Sequence, residues 1–154
     1  MMLRTRILAI GGAAAVALTL MAPADPTSAA TPADMIAQRQ ALMDLQGATA
    51  TGIQAALKAG DAATAGKMAG ALHSSAQVIP TFFDKGTGPE AGKTKALPVI
   101  WEKWDDFKGA AAALGTAAEK LAAAGKAGDA TAANAAFAEL GKACGGCHNT
   151  FRTK

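Results

Sequence analysis

An all-α fold, an up-down-up-down antiparallel four-helix bundle, is predicted by three features of the 154-residue chain. Hydrophobic residues make up 51% of it, Ala prominent among them and Tyr absent, a composition that favours helix. Apolar residues recur at spacings of three and four, the mark of helices that bury one face. The turn Lys-Ala-Gly-Asp stands twice, at 58–61 and at 126–129. A short Gly-Asp turn sets consecutive helices antiparallel, and two such hairpins joined by one longer loop make the bundle.

Ahead of the helices, Arg4 and Arg6 precede an apolar run from Ile7 to Ala22. Small-residue exits follow at Ala22-Pro23-Ala24 and Ser28-Ala29-Ala30. This is the pattern of a secretory signal peptide. A membrane anchor needs about 20 apolar residues and a stop-transfer flank. Residues 1–30 are therefore expected to be cleaved, after Ala24 or, preferably, after Ala30. One exported domain, 31–154, remains.

The first helix is expected over 32–58, with Thr31 as N-cap, Pro32 at the first helical position and Asp34 in the first turn. Its apolar line is Ile36, Met43, Ala50 and Leu57, joined by Ile53, and Gly60 supplies a left-handed C-cap. Asp61 caps the second helix, 62–79, whose stripe is Ala65, Met68, Leu72, Ala76 and Ile79. From Pro80 to Leu97 the chain reads as loop. The third helix, 98–124, has the clearest seam: Ile100, Trp104, Phe107, Ala111, Leu114, Ala118 and Leu121. Gly125 and Gly128 are expected to end it. Asp129 caps the fourth, 129–152, with Ala133, Phe137, Leu140, Cys144 and Phe151 on one side.

Fifteen Lys and Arg against twelve Asp and Glu give a net charge of only +3 at pH 7, no basic stripe, and hence no expectation of nucleic acid. The two cysteines fall in Cys144-Gly145-Gly146-Cys147-His148, a c-type haem attachment pattern. Helical geometry explains the spacing. Cys144 and Cys147 stand about 60° apart around the axis and Cys144 and His148 about 40°, so all three face one way. The thiols add to the two haem vinyl groups, and the adjacent imidazole reaches the iron. A thioredoxin-like pair would sit at a helix start in a βαβ context. A zinc site needs four ligands, and His73 is the only other His. A disulfide across three residues closes too small a loop to gain much.

A bundle whose haem motif ends six residues before the C-terminus resembles cytochrome c′ and its low-spin relatives, the class II cytochromes c. The likeness rests on Arg39-Gln40-Ala41-Leu42-Met43, on Leu97-Pro98-Val99-Ile100-Trp101 and on Cys144 through Phe151-Arg152. The resemblance implies one haem c attached through Cys144 and Cys147, with iron held by His148. It implies Arg152 beside the proximal face and Arg39 and Gln40 near the haem propionates, where a guanidinium pairs with carboxylates. It implies a periplasmic protein whose partners are redox proteins, diatomic gases, or a second copy docked through the first two helices.

Met43 then decides between two functions. As a bound thioether it saturates the iron and makes an electron carrier, the reading preferred from the sequence. Unbound, it shields a five-coordinate haem open to nitric oxide or carbon monoxide. It also fits as core filler. Met35 and Met68 are weaker ligand candidates. Trp101 is expected to pack at a helix entrance, and His73 to be a partly exposed helix histidine. No acid–base pair converges on the distal side, so no catalytic residue is assigned.

Overall fold

A computed structural model describes residues 29–154. The expected leader, apart from Ala29 and Ala30, lies outside the described residues. The helices are α1 (Pro32–Lys58), α2 (Ala62–Gln77), a one-turn α3 (Val99–Glu102), α4 (Trp104–Lys126) and α5 (Ala130–Phe151), with a 3₁₀ turn at Ile79–Phe82 after α2. No strand interrupts the seam residues, and none of the described helices is long and apolar enough to cross a membrane.

Three of the four long helices, α1, α2 and α5, begin where a side chain satisfies a free N–H group, whereas α4 starts from Lys103 without one. Thr31 and Asp34 form a capping box: the Asp34 N–H donates to Thr31 Oγ1 at 3.2 Å, and the Thr31 N–H to the Asp34 carboxylate at 2.9 Å. The Thr31 hydroxyl also donates to that carboxylate at 2.6 Å, and this bond, with the one from the Thr31 N–H, holds the Asp34 carboxyl below its ordinary pKa. Asp61 accepts from the Thr64 N–H at 2.8 Å and Asp129 from the Ala132 N–H at 2.9 Å. The two Lys-Ala-Gly-Asp turns close identically. Gly60 (φ 77°) and Gly128 (φ 71°) take the left-handed conformation, and Asp61 N–H and Asp129 N–H reach back to the carbonyls of Ala56 and Ala124. One aspartate thus completes the end of one helix and opens the next.

Three features differ from the sequence expectation. The second helix ends at Gln77 rather than at 79, and a 3₁₀ turn, Ile79–Phe82, built around Pro80, occupies the start of the expected loop. The third helix is broken at Lys103, which leaves the helical region (φ −116°, ψ 52°). The apolar period runs through the break, since Ile100 and Trp104 keep their spacing of four, so hydrophobicity alone does not reveal it. Gly125 does not end a helix. It lies inside α4 against Gly66 of α2, where a Cβ added to Gly66 would stand 2.8 Å from the Gly125 Cα. Here α2 and α4 touch through backbone.

Beside that contact the α2 face is small, built from Ala62, Ala65 and Ala69, so α2 and α4 meet closely, while Ile53, Leu57 and Leu121 fill the rest of the core there. At the other end the core residues are large: Phe83, Phe107 and Phe151 pack with centroids 4.7 and 5.3 Å apart. There the helices leave a cavity. Gly125→Ala should test the close contact. Alanine's helix propensity favours the variant by about 1 kcal/mol, but the new methyl would meet the backbone of Ala62 and Gly66, which cannot rotate aside. Overpacking of about 1–3 kcal/mol or more should win, and a lowered denaturation midpoint is the expected result.

Candidate haem site

The last two turns of α5 present Cys144, Cys147 and His148, all half-buried, to a cavity of about 950 Å³. Arg39, Gln40, Met43 and Arg152 line the same cavity. All seven site residues named from the sequence are therefore brought together, from α1 on one side and the end of α5 on the other. Met35 and Met68 do not line it; Met68 packs instead against Gly52. His73, half-buried as expected, lines a separate cavity of about 320 Å³, its Nδ1 2.9 Å from the Gly115 carbonyl and its Nε2 2.8 Å from the Gln77 amide. It is outside the main cavity and supplies no distal group there.

Burial favours the uncharged form of the three motif side chains. Burial raises the pKa of both thiols, Cys147 further through its neighbour Cys144, and neither is in a disulfide. Burial, with the positive charge of Arg152, lowers the pKa of His148. The imidazole is thus held neutral, the form in which a ring nitrogen keeps a lone pair for a metal. The walls are mostly apolar, from Ala50, Leu72, Ile79, Ile100, Phe107 and Leu114. Such a lining, with two free thiols and a neutral imidazole spaced along one helix, fits haem. The volume lies near the top of the ~300–1,000 Å³ range of cofactor sites.

Arg39 is more than a charge at the rim. It is only 2% exposed, and a solvated cation on α1 is ruled out. Its guanidinium donates to Thr87 Oγ1 at 2.9 Å, to the Thr87 carbonyl and to Thr94 Oγ1 at 2.8 Å, and lies 4.9 Å over the Phe83 ring. Burial lowers its pKa, with Glu90 opposing. Gln40 donates to the Lys93 carbonyl at 3.0 Å. Trp101 does pack at the α3 entrance, and its indole N–H also donates to the carbonyls of Phe83 (2.9 Å) and Asp84 (3.1 Å).

Sequence reasoning missed Gln46, which lines the cavity one turn beyond Met43 and is 8% exposed. Its amide donates to Ser75 Oγ of α2 at 3.1 Å. The spacing of three from Met43 was the available signal. Lys93, Thr94 and Lys95 also line the site, but they sit in an aperiodic loop that gives no such signal.

The fold and cavity define a class: a four-helix bundle that carries a covalently tethered haem at one end. A family model described as Cytochrome C′ matches residues 34–152. Over 127 residues the chain is 40% identical to cytochrome c′ of Rubrivivax gelatinosus, covering 80% of this chain and 97% of that one. Against cytochrome c-554 of Cereibacter sphaeroides it is 46% identical over 97 residues, 61% of this chain and 62% of the relative. The match thus spans less than two thirds of that protein. Among solved structures, Rubrivivax gelatinosus cytochrome c′ superposes with a TM-score of 0.71 at 32% identity, covering 80% and 98% of the two chains. A nitric oxide complex of a variant cytochrome c prime from Alcaligenes xylosoxidans gives 0.73 at 29% identity, covering 82% and 100%. The chain belongs to the cytochrome c′ family, and its cofactor is iron-containing, covalently attached haem c.

Proposed function

We propose that this protein is a periplasmic electron carrier, exported by residues 1–30 and matured to 31–154. The haem, when bound, supplies a one-electron ferric–ferrous couple. Cys144 and Cys147 tether it, and His148 holds the iron on the α5 side. Met43 provides the sixth ligand from α1. Arg39 and Gln40 sit toward the propionates, and Arg152 fixes the surroundings of His148. The observation that carries this reading is the convergence of His148 and Met43 on one cavity from helices that have little other contact. That cavity reaches the surface among exposed Gln40, Asp44, Lys93, Lys95 and Arg152, where a redox partner can approach the haem edge. Leu45 on α1, the most exposed large apolar residue among the described residues at 61%, supports a homodimer through α1 and α2.

A second reading has its own support. The nitric oxide complex of a related cytochrome c prime, together with the apolar walls around Met43, favours a five-coordinate haem that admits diatomic gases. Optical spectra of the purified ferric and ferrous protein distinguish the two. Low-spin spectra in both states are expected for the electron carrier. High-spin spectra in both would transfer the protein to the gas-binding reading.

A further inference from the structure

The loop between α2 and α3 is bonded to both sides of the cavity. On the α1 side, Arg39 holds Thr87 and Thr94, and Gln40 holds Lys93. On the α5 side, Ala96 pairs with Arg152 in an antiparallel bridge: the Leu97 N–H donates to the Phe151 carbonyl at 3.0 Å and the Thr153 N–H to the Lys95 carbonyl at 2.9 Å. Thr87 is 3% exposed, and its hydroxyl also donates to the Asp84 carbonyl at 2.7 Å, which holds it within the loop. Thr94 Oγ1 accepts from Arg39 and also from the Ala96 N–H at 3.1 Å. An unbroken series of hydrogen bonds therefore runs from the guanidinium on α1 to the residues just beyond His148 on α5.

The helices it joins are the pair that the cavity separates. We infer that residues 87–97 form a strap, with Arg39 as its positioning residue, that sets the distance between the Met43 wall and the His148 wall. Direct packing of α1 on α5 is sparse, and the other packed route between them runs through α2 and α4. A guanidinium suits the task because its planar fork meets several acceptors at fixed angles, which an ammonium does not. Its hydrogen-bond acceptors here are neutral oxygens, with the Phe83 face and the Glu90 carboxylate nearby, so the shape of the group, as well as its charge, is used.

The inference rests on the proposed pairing of Met43 with His148, and its test keeps the two apart. Thr87 does not line the cavity. Thr87→Val in the haem-loaded protein removes one acceptor of Arg39 without altering the walls, and Thr87→Ser restores the hydroxyl. In the valine variant, amide exchange at Leu97 and Thr153, the far end of the strap, should quicken roughly tenfold, the effect of one lost buried hydrogen bond. The ferric spectrum should shift toward high spin, and the serine variant should reverse both changes. Arg39→Lys keeps the charge and loses the fork, so it should behave like Thr87→Val and serves if that variant folds poorly. Faster exchange near Thr87 and Thr94 with Leu97 and Thr153 unmoved would overturn the strap, as would a lysine variant indistinguishable from the parent. If the parent itself is high-spin, the Met43 ligand falls, and exchange at Leu97 and Thr153 alone decides the strap.

Discussion

Replacing both Cys144 and Cys147 with Ala is expected to release the haem to acid-acetone extraction, whereas the parent protein keeps it through denaturation. Either single variant retains one thioether and should hold its haem, so only the double change empties the site. The consequence for the fold follows from volume. A cavity of about 950 Å³ with mostly apolar walls, once emptied of haem, leaves those walls wet or without packing partners, and either destabilises the end of the bundle that encloses it. The haem-free double variant should collapse inward or lose fixed packing at the aromatic end, around Phe83, Phe107 and Phe151. The Gly66–Gly125 end should hold longer. Near-ultraviolet circular dichroism and hydrogen exchange read this difference directly. Haem extracted from the denatured parent would refute covalent attachment through these cysteines.

The parts of this fold that were legible in the sequence are those governed by nearest neighbours and by a single period. Thr31 with Asp34, Asp61, Asp129, Gly60 and Gly128 each act within four residues, and all do what local chemistry dictates. The seam from Ile100 to Leu121 is buried almost throughout, Trp104 alone being half-buried, because one face of a helix is all that burial requires. The haem motif is equally local. What stayed hidden depends on contacts distant along the chain. Gly125 resembles a helix terminator until Gly66, 59 positions away, is brought against it. Nothing local to Arg39 indicates that Thr87 and Thr94, 48 and 55 positions away, cover it. The pairing of Ala96 with Arg152 has no alternating pattern to betray it, since it is a single bridge rather than a strand.

Met43→Ala should be the substitution that separates the two functions. The line Ile36–Met43–Ala50–Leu57 is buried at its ends, Ile36 (5% exposed) and Leu57 (9%). Met43 and Ala50 between them are half-buried and line the cavity that His148 faces. The packing value of Met43 is therefore modest, and truncation should cost less than the ~2–5 kcal/mol of a fully buried Met→Ala change. The spectroscopic effect should be large by comparison. With the thioether as sixth ligand, its removal should turn the ferric protein from low-spin to high-spin. The reduction potential should drop, since a soft sulfur no longer favours ferrous iron. Carbon monoxide, a poor ligand for the parent ferrous protein, should then bind readily. If Met43 is a steric shield instead, the parent is already high-spin, and the same change leaves the spin state in place while speeding gas entry. A parent that is high-spin in both oxidation states would end the case for Met43 as a ligand and leave the iron to His148 alone.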